Sequence, residues 1–299
     1  ITSSLGIGLS PLLEIGRAVY HRDPLRQQTP GDYNPVQMAS FAGSVCLITG
    51  ASGGIGAALT RELARQDAVI VMVARRKDRL IALKDELSRT CAQLTATFYP
   101  IDITNAPEVD AMISDVVRRF SRIDVLLNNA AYGIDSLFVD TPMEAEREIF
   151  ETNLFAALNL MKKILPIMEK QGAGKIMNIG SVVGHRSMPL MSSYCATKFA
   201  LKAYTESLRV EYAKKGVQVM YASPGYTRTD FMDHQKRFGA ARRRGAGVEP
   251  MSAERCAKVL VKSLQKNKRD TVLSAFGKFG LLINRFAPSI LDRVLLSRV

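Results

Sequence analysis

Apolar residues in this chain fall into two alternating patterns: short continuous runs, and longer stretches in which they recur every three or four positions. From Gly43 onward, the runs at 45–48, 68–73, 96–99, 125–127, 175–179 and 217–222 read as strands, with 271–273 a weaker seventh. Continuous rather than alternating apolar residues suit strands buried on both faces, so a parallel sheet covered by helices is expected. Ile55, Leu59 and Leu63 recur at helical spacing after the first run. Longer helical patterns cover 144–171 and 193–215, and a shorter helix starts near Ser252, a good N-cap before Ala253 and Glu254. The reading is an α/β fold, a doubly wound parallel sheet in a single domain with extensions at both ends.

Residues 1–42 make the N-terminal extension. Positions 5–20 are mildly apolar but include Glu14 and Arg17, which suits a surface-lying helix or the stub of a lost anchor. Three prolines between 23 and 35 mark a linker, and the first residue is Ile rather than Met, as in a processed or truncated product. The main domain spans 43–274. Within it, 233–250 is a polar stretch rich in Gly and Arg, long enough to be a functional loop. Residues 275–299 form a C-terminal segment in which apolar residues are interrupted by single cations. That pattern suits an interfacial amphipathic helix, a dimer contact or a flap over a pocket. There is no internal repeat and no run of about 20 apolar residues that would span a bilayer.

Composition adds little until charge is considered. The chain is 47% hydrophobic and 23% charged, enough apolar content for a full core. Cys46, Cys91, Cys195 and Cys256 have no metal-ligand spacing and no disulfide framework, so a reducing, cytoplasmic setting is the default. The three histidines are too scattered for a zinc or iron site. The net charge is +13, and residues 235–299 alone hold 15 Lys/Arg against four Asp/Glu. Arg255, Lys258, Lys262 and Lys266 share one helix face. Such a surface suits a phosphate, an anionic substrate or an anionic membrane face, or is simply solvated; no motif for nucleic acid accompanies it.

Candidate chemistry starts at the first strand–helix junction. Thr49, Gly50, Ala51, Ser52, Gly53, Gly54, Ile55 and Gly56 put a glycine-rich turn between a strand and a helix, the context in which such a turn binds a dinucleotide. Glycines let the backbone approach a pyrophosphate, and the helix N-terminus offers it amide dipoles. After the second strand, where an acidic residue would take a free ribose 2′-hydroxyl, the chain reads Arg75, Arg76, Lys77. NADP(H) is therefore favoured over NAD, with Arg75 the main candidate for the 2′-phosphate. Tyr194 and Lys198 lie four residues apart on a helix, where an ammonium group would favour the ionised phenol and make it a usable acid or base.

With these motifs in order, the chain resembles the short-chain dehydrogenase/reductases over about residues 43–273. The resemblance rests on the turn at 49–56, Asn128-Asn129-Ala130, the tetrad Asn153, Ser181, Tyr194 and Lys198, and Pro224-Gly225. It implies a Rossmann-type fold and an oxidoreductase that interconverts a ketone or aldehyde and an alcohol. Tyr194 would exchange a proton with the substrate oxygen, Ser181 would hold that oxygen, and Lys198 would bind the nicotinamide ribose and lower the phenol pKa. Asn153 would hold a water linking Lys198 to solvent. Asp102 and Ile103 would meet the adenine, and Asn129 and Ala130 would line the adenosine ribose. Pro224 and Gly225 would border the nicotinamide, with Thr227 and Thr229 at its carboxamide or phosphate. Three departures stand out: Ala131 where glycine commonly follows, Thr227 where an aliphatic residue is usual, and Gly180 where a second serine is common, which removes a back-up hydroxyl. His185, Met188, Leu190 and Met191 border the expected substrate space, and Cys195 reads as packing. The tail layout resembles microsomal-type reductases of the family, implying a small hydrophobic substrate, lipid- or steroid-like, and contact with a membrane surface. A homo-oligomer through helices 144–171 and 193–215 is also implied. Two alternatives stay open: an NAD-linked alcohol dehydrogenase, and a catalytically silent cofactor-binding or membrane-docking protein.

Overall fold

The computed structural model describes residues 40–240 and 249–296. The expected N-terminal helix and linker, part of the 233–250 loop and the last three residues lie outside the described residues. The chain divides into two units, Ile1–Asn34 and Pro35–Val299, and the first falls wholly outside them.

Seven parallel strands form the sheet: β1 (Val45–Thr49), β2 (Val69–Val73), β3 (Ala96–Tyr99), β4 (Val125–Asn128), β5 (Gly174–Ile179), β6 (Val217–Ser223) and β7 (Asp270–Val272). Their order is β7-β6-β5-β4-β1-β2-β3. Helices α1 (Gly54–Ala64), α2 (Lys77–Thr90), α3 (Ala106–Phe120), α4 (Met143–Phe150), α5 (Ala156–Gln171), α6 (Ser192–Glu211) and α7 (Ala253–Gln265) connect them. Alternation along each strand splits the core into two layers. Cys46 and Ile48 of β1 pack with Leu59, Leu63 and Leu260 on one face; Val45 and Leu47 pack with Met112, Leu160 and Ile164 on the other. Both faces are dry, which is why the strands read as unbroken apolar runs. The strand order reverses between β1 and β4, and the crevice beyond their C-terminal ends is where a doubly wound sheet binds its ligand.

The expected elements form, with two informative differences. The helical pattern over 144–171 is interrupted: α4 ends at Phe150, a single π-helical turn covers Glu151–Phe155, and α5 follows. Such π-turns cluster at functional sites, and this one carries Asn153. The helix expected over 193–215 ends earlier, at Glu211, and a 3₁₀ turn at Ala213–Lys215 follows. Ser252 caps α7 as expected, accepting from the Arg255 N–H. The weak seventh strand pairs with β6 through Thr271 and Ala222. The tail folds as two helices, α8 (Ala275–Phe286) and α9 (Pro288–Leu296), the second opened by a proline whose missing N–H costs nothing at that position.

Candidate active site

The turn between β1 and α1 is shaped by its glycines. Gly50 and Gly54 have left-handed backbones (φ 67° and 52°), and a Cβ at Gly56 would collide with the Gly50 carbonyl, so these positions need glycine on steric grounds alone. Gly53 opens α1 without a side-chain cap, leaving the helix N-terminus to face the crevice. Asn129 braces the turn from behind: its side-chain amide donates to the Thr49 carbonyl at 2.9 Å, and its N–H bonds the Thr49 hydroxyl at 3.0 Å. This amide supports the glycine turn, and Asn129 also lines the cleft. A turn of this kind, with an uncapped helix N-terminus behind it, fits the pyrophosphate of a dinucleotide.

Those cations are unequal. Arg75, the main sequence candidate, has a side chain 78% exposed and lies 3.6 Å from Asp102. Arg76 is drawn inward to the Ser52 hydroxyl (3.2 Å), and a Cβ at Gly53 would stand 3.0 Å from its guanidinium. Arg76 and Arg79 also share the Asp230 carboxylate, at 3.3 and 3.0 Å. Sequence reading missed both Arg79 and Asp230, which are separated by 151 residues and give no local signal. Asp102 is partly occupied by its own turn, accepting from the Thr104 N–H and hydroxyl. Thr229 packs against Gly54, and the Thr227 hydroxyl donates to the Gly225 carbonyl.

At the other end of the same cleft stand Ser181, at the exit of β5, and Tyr194 and Lys198, one turn apart on α6. Tyr194 is buried, and burial pushes its phenol up from the ordinary value, opposed by a hydrogen bond with the Ser181 hydroxyl. Lys198 is also buried. Its ammonium donates to the Ile179 carbonyl at 3.0 Å, and burial lowers its pKa to about 8. The Lys198 ammonium lies 5.7 Å from the Tyr194 ring centroid, and burial disfavours the charged form of both groups. Asn153 is held by direct side-chain bonds. Its amide donates to the Tyr132 carbonyl and Thr197 hydroxyl and accepts from the Tyr132 N–H, so the side chain ties α4–α5 to the loop after β4 and to α6.

A cleft of about 2060 Å³ joins the two ends. It is lined by Gly50, Ser52, Gly53, Gly54, Ile55, Arg75, Arg76, Asp102, Ile103, Ala130, Ser181, Tyr194, Lys198, Pro224, Gly225, Thr227 and Thr229, so dispersed sequence candidates converge there. Met188 and Met191 also face it; Leu190 takes a left-handed backbone instead, with φ 63°. His185 turns away, its Nε2 2.8 Å from the Ser223 hydroxyl. Leu281, Leu291 and Leu295 of α8 and α9 close part of the wall, and the pairing of Arg186 with Asp292 fastens α9 to the loop after β5. The flap reading of the tail thus has contacts behind it. Among the described residues no helix is long and apolar enough to cross a membrane, and none of their His, Cys, Asp or Glu side chains form a metal-binding group.

Comparison with known proteins gives the same frame. A family model described as "short chain dehydrogenase" matches residues 44–238. The chain is 32% identical over 265 residues to dehydrogenase/reductase SDR family member 7B of Danio rerio, covering 85% of each chain. It is 29% identical to ketoacyl reductase HetN of Nostoc, over 86% of this chain and 90% of the relative. Among solved structures, a short-chain dehydrogenase from Streptomyces avermitilis superposes with a TM-score of 0.71 at 27% identity, over 85% of this chain and 94% of that one. An alcohol dehydrogenase from Thermococcus sibiricus, complexed with 5-hydroxy-NADP, gives 0.67 at 27% identity over 77% and 94%.

Proposed function

This chain belongs to the short-chain dehydrogenase/reductase family, and from that premise we propose that it is an NADP(H)-dependent carbonyl reductase acting on an apolar ketone or aldehyde. The observation that carries the cofactor choice is the cluster of Arg75, Arg76 and Arg79 after β2, of which Arg76 reaches Ser52, with no carboxylate at the end of β2 itself. Three cations beside the glycine turn favour a 2′-phosphate over a bare hydroxyl. The apolar part of the cleft, walled by Met188, Met191, Leu281, Leu291 and Leu295, supports an apolar substrate.

Bound NADPH supplies the hydride; the rest of the chemistry belongs to the side chains. Ser181 and Tyr194 converge on the position a carbonyl oxygen takes, one to hold it and one to protonate it. Because burial raises the phenol pKa, Tyr194 keeps its proton at neutral pH, the state needed to donate to a developing alkoxide. Lys198, still charged below about pH 8, places positive charge beside the growing negative charge and can bind the nicotinamide ribose.

The deciding experiment is a titration of NADPH and NADH against wild type, Arg75→Ala and Arg76→Ala. NADPH should bind at least tenfold more tightly than NADH, with the preference reduced in either variant and more in Arg76→Ala. Equal binding of both cofactors to the wild type would turn the reading to the NAD-linked alternative.

The tail supports a second reading, contact with a membrane surface. Phe279, Leu282, Phe286, Ile290 and Leu296 are exposed on α8 and α9, alongside Lys278, Arg285 and Arg293. Co-sedimentation with phosphatidylserine vesicles, and loss of it in Phe279→Ser/Phe286→Ser, is the expected result; indifference to vesicles would remove this reading.

A further inference from the structure

Ser181 and Lys198 come from different elements, so nothing covalent sets the distance between them. Beneath both lies Tyr221 of β6, a residue the functional reading does not use. It is 1% exposed, the largest side chain of a strand whose other residues are Val, Gln, Met, Ala and Ser. A buried hydroxyl needs a partner. This one donates to the Lys198 carbonyl at 2.9 Å. The turn that carries Ser181 packs directly on the same hydroxyl, through Gly180 and Gly184, and burial drives this phenol's pKa upward.

The turn around Ser181 is cut to fit this ring. A Cβ built at Gly180 would overlap Cζ and the hydroxyl of Tyr221, and one at Gly184 would overlap the hydroxyl. Neither glycine has a positive φ, so space for the ring, not backbone freedom, is what requires glycine here. On another side the ring meets His185 edge-on at 5.8 Å, and His185 is itself held by Ser223.

We propose that Tyr221 is a positioning residue, whose single hydroxyl ties the Ser181 turn to the Lys198 turn of α6 and so sets the spacing of the catalytic pair. It occupies, from the neighbouring strand, the volume that a side chain at position 180 would fill. The proposal rests on the functional reading for its consequence, since a misplacement of about 1 Å in a reacting group can cost on the order of a hundredfold in rate.

The test is Tyr221→Phe, which keeps the ring and removes only the hydroxyl, read in two ways. Turnover of a ketone with NADPH should fall five- to twentyfold in kcat, with KM and NADPH affinity within twofold of wild type. Hydrogen exchange should speed up at least threefold in peptides covering 180–184 and 198–202 and stay unchanged elsewhere. A companion variant, Gly180→Ser/Tyr221→Ala, returns a hydroxyl from the opposite side and should recover kcat lost in Tyr221→Ala. Wild-type kcat and exchange in Tyr221→Phe would overturn the proposal, because a ring that only fills space would give that result. If the wild type turns over no carbonyl at all, the functional reading fails, and the exchange experiment still decides whether the hydroxyl ties the two turns.

Discussion

The two ends of the cleft are held by different physics. At the reacting end Tyr194 and Lys198 are buried, their neighbours are mostly backbone carbonyls and hydroxyls, and burial is the largest influence on both pKa values. At the phosphate end Arg75, Arg76, Arg79, Asp102 and Asp230 form ion pairs whose side chains are one-third to three-quarters exposed. Desolvation is a property of the fold and is little affected by salt, whereas exposed ion pairs are weak and screened. On the proposed reading, reactivity is built into the core, and cofactor choice rests on a surface that charge substitutions can rewrite.

The largest break in this comparison comes from Tyr194→Phe. Removing the proton donor should lower kcat by about 10²- to 10⁴-fold while leaving NADPH binding within threefold of wild type. A variant that kept a tenth of the activity would move the proton donor elsewhere.

Next in size is the response to pH. The lowered pKa of about 8 means that Lys198 carries its charge below pH 8 and loses it as pH rises, well before an ordinary lysine would. The rate profile for reduction should therefore fall on its alkaline side from about pH 8, approaching tenfold per unit. The midpoint should be insensitive to salt, because burial rather than a surface charge sets it. A limb near 10 would mean that the lysine is better solvated than its burial implies.

The smallest effect sharpens the other end. In the cofactor titration, raising salt from about 0.05 to about 0.5 M should weaken NADPH severalfold and NADH much less, and Arg76→Ala should flatten that difference.

Much of this was legible in the chain because the signals are local. A strand buried on both faces announces itself as a run such as 45–48, and Gly50, Gly53, Gly54 and Gly56 lie in one turn. Tyr194 and Lys198 are one helical turn apart, so their shared face follows from spacing alone. The bracing contacts of Asn153 were not legible: its amide meets Tyr132 and Thr197, 21 and 44 residues away. His185 looked adjacent to substrate because it follows Ser181 by four positions, yet the turn directs its ring to Ser223 and Asp270.

By itself, then, the sequence determined the strand and helix pattern, the glycine turn and the shared helix face of Tyr194 and Lys198, since each is specified by spacing within one or two turns of chain; Asn153 and Ser181 came from the family resemblance. Only the tertiary structure decided which arginine leans on Ser52, what Asn129 and Asn153 brace, and that Tyr221 fills the space left by Gly180 and Gly184. It also decided that α8 and α9 close the cleft. These depend on contacts between residues tens to hundreds of positions apart, and only packing brings such residues together.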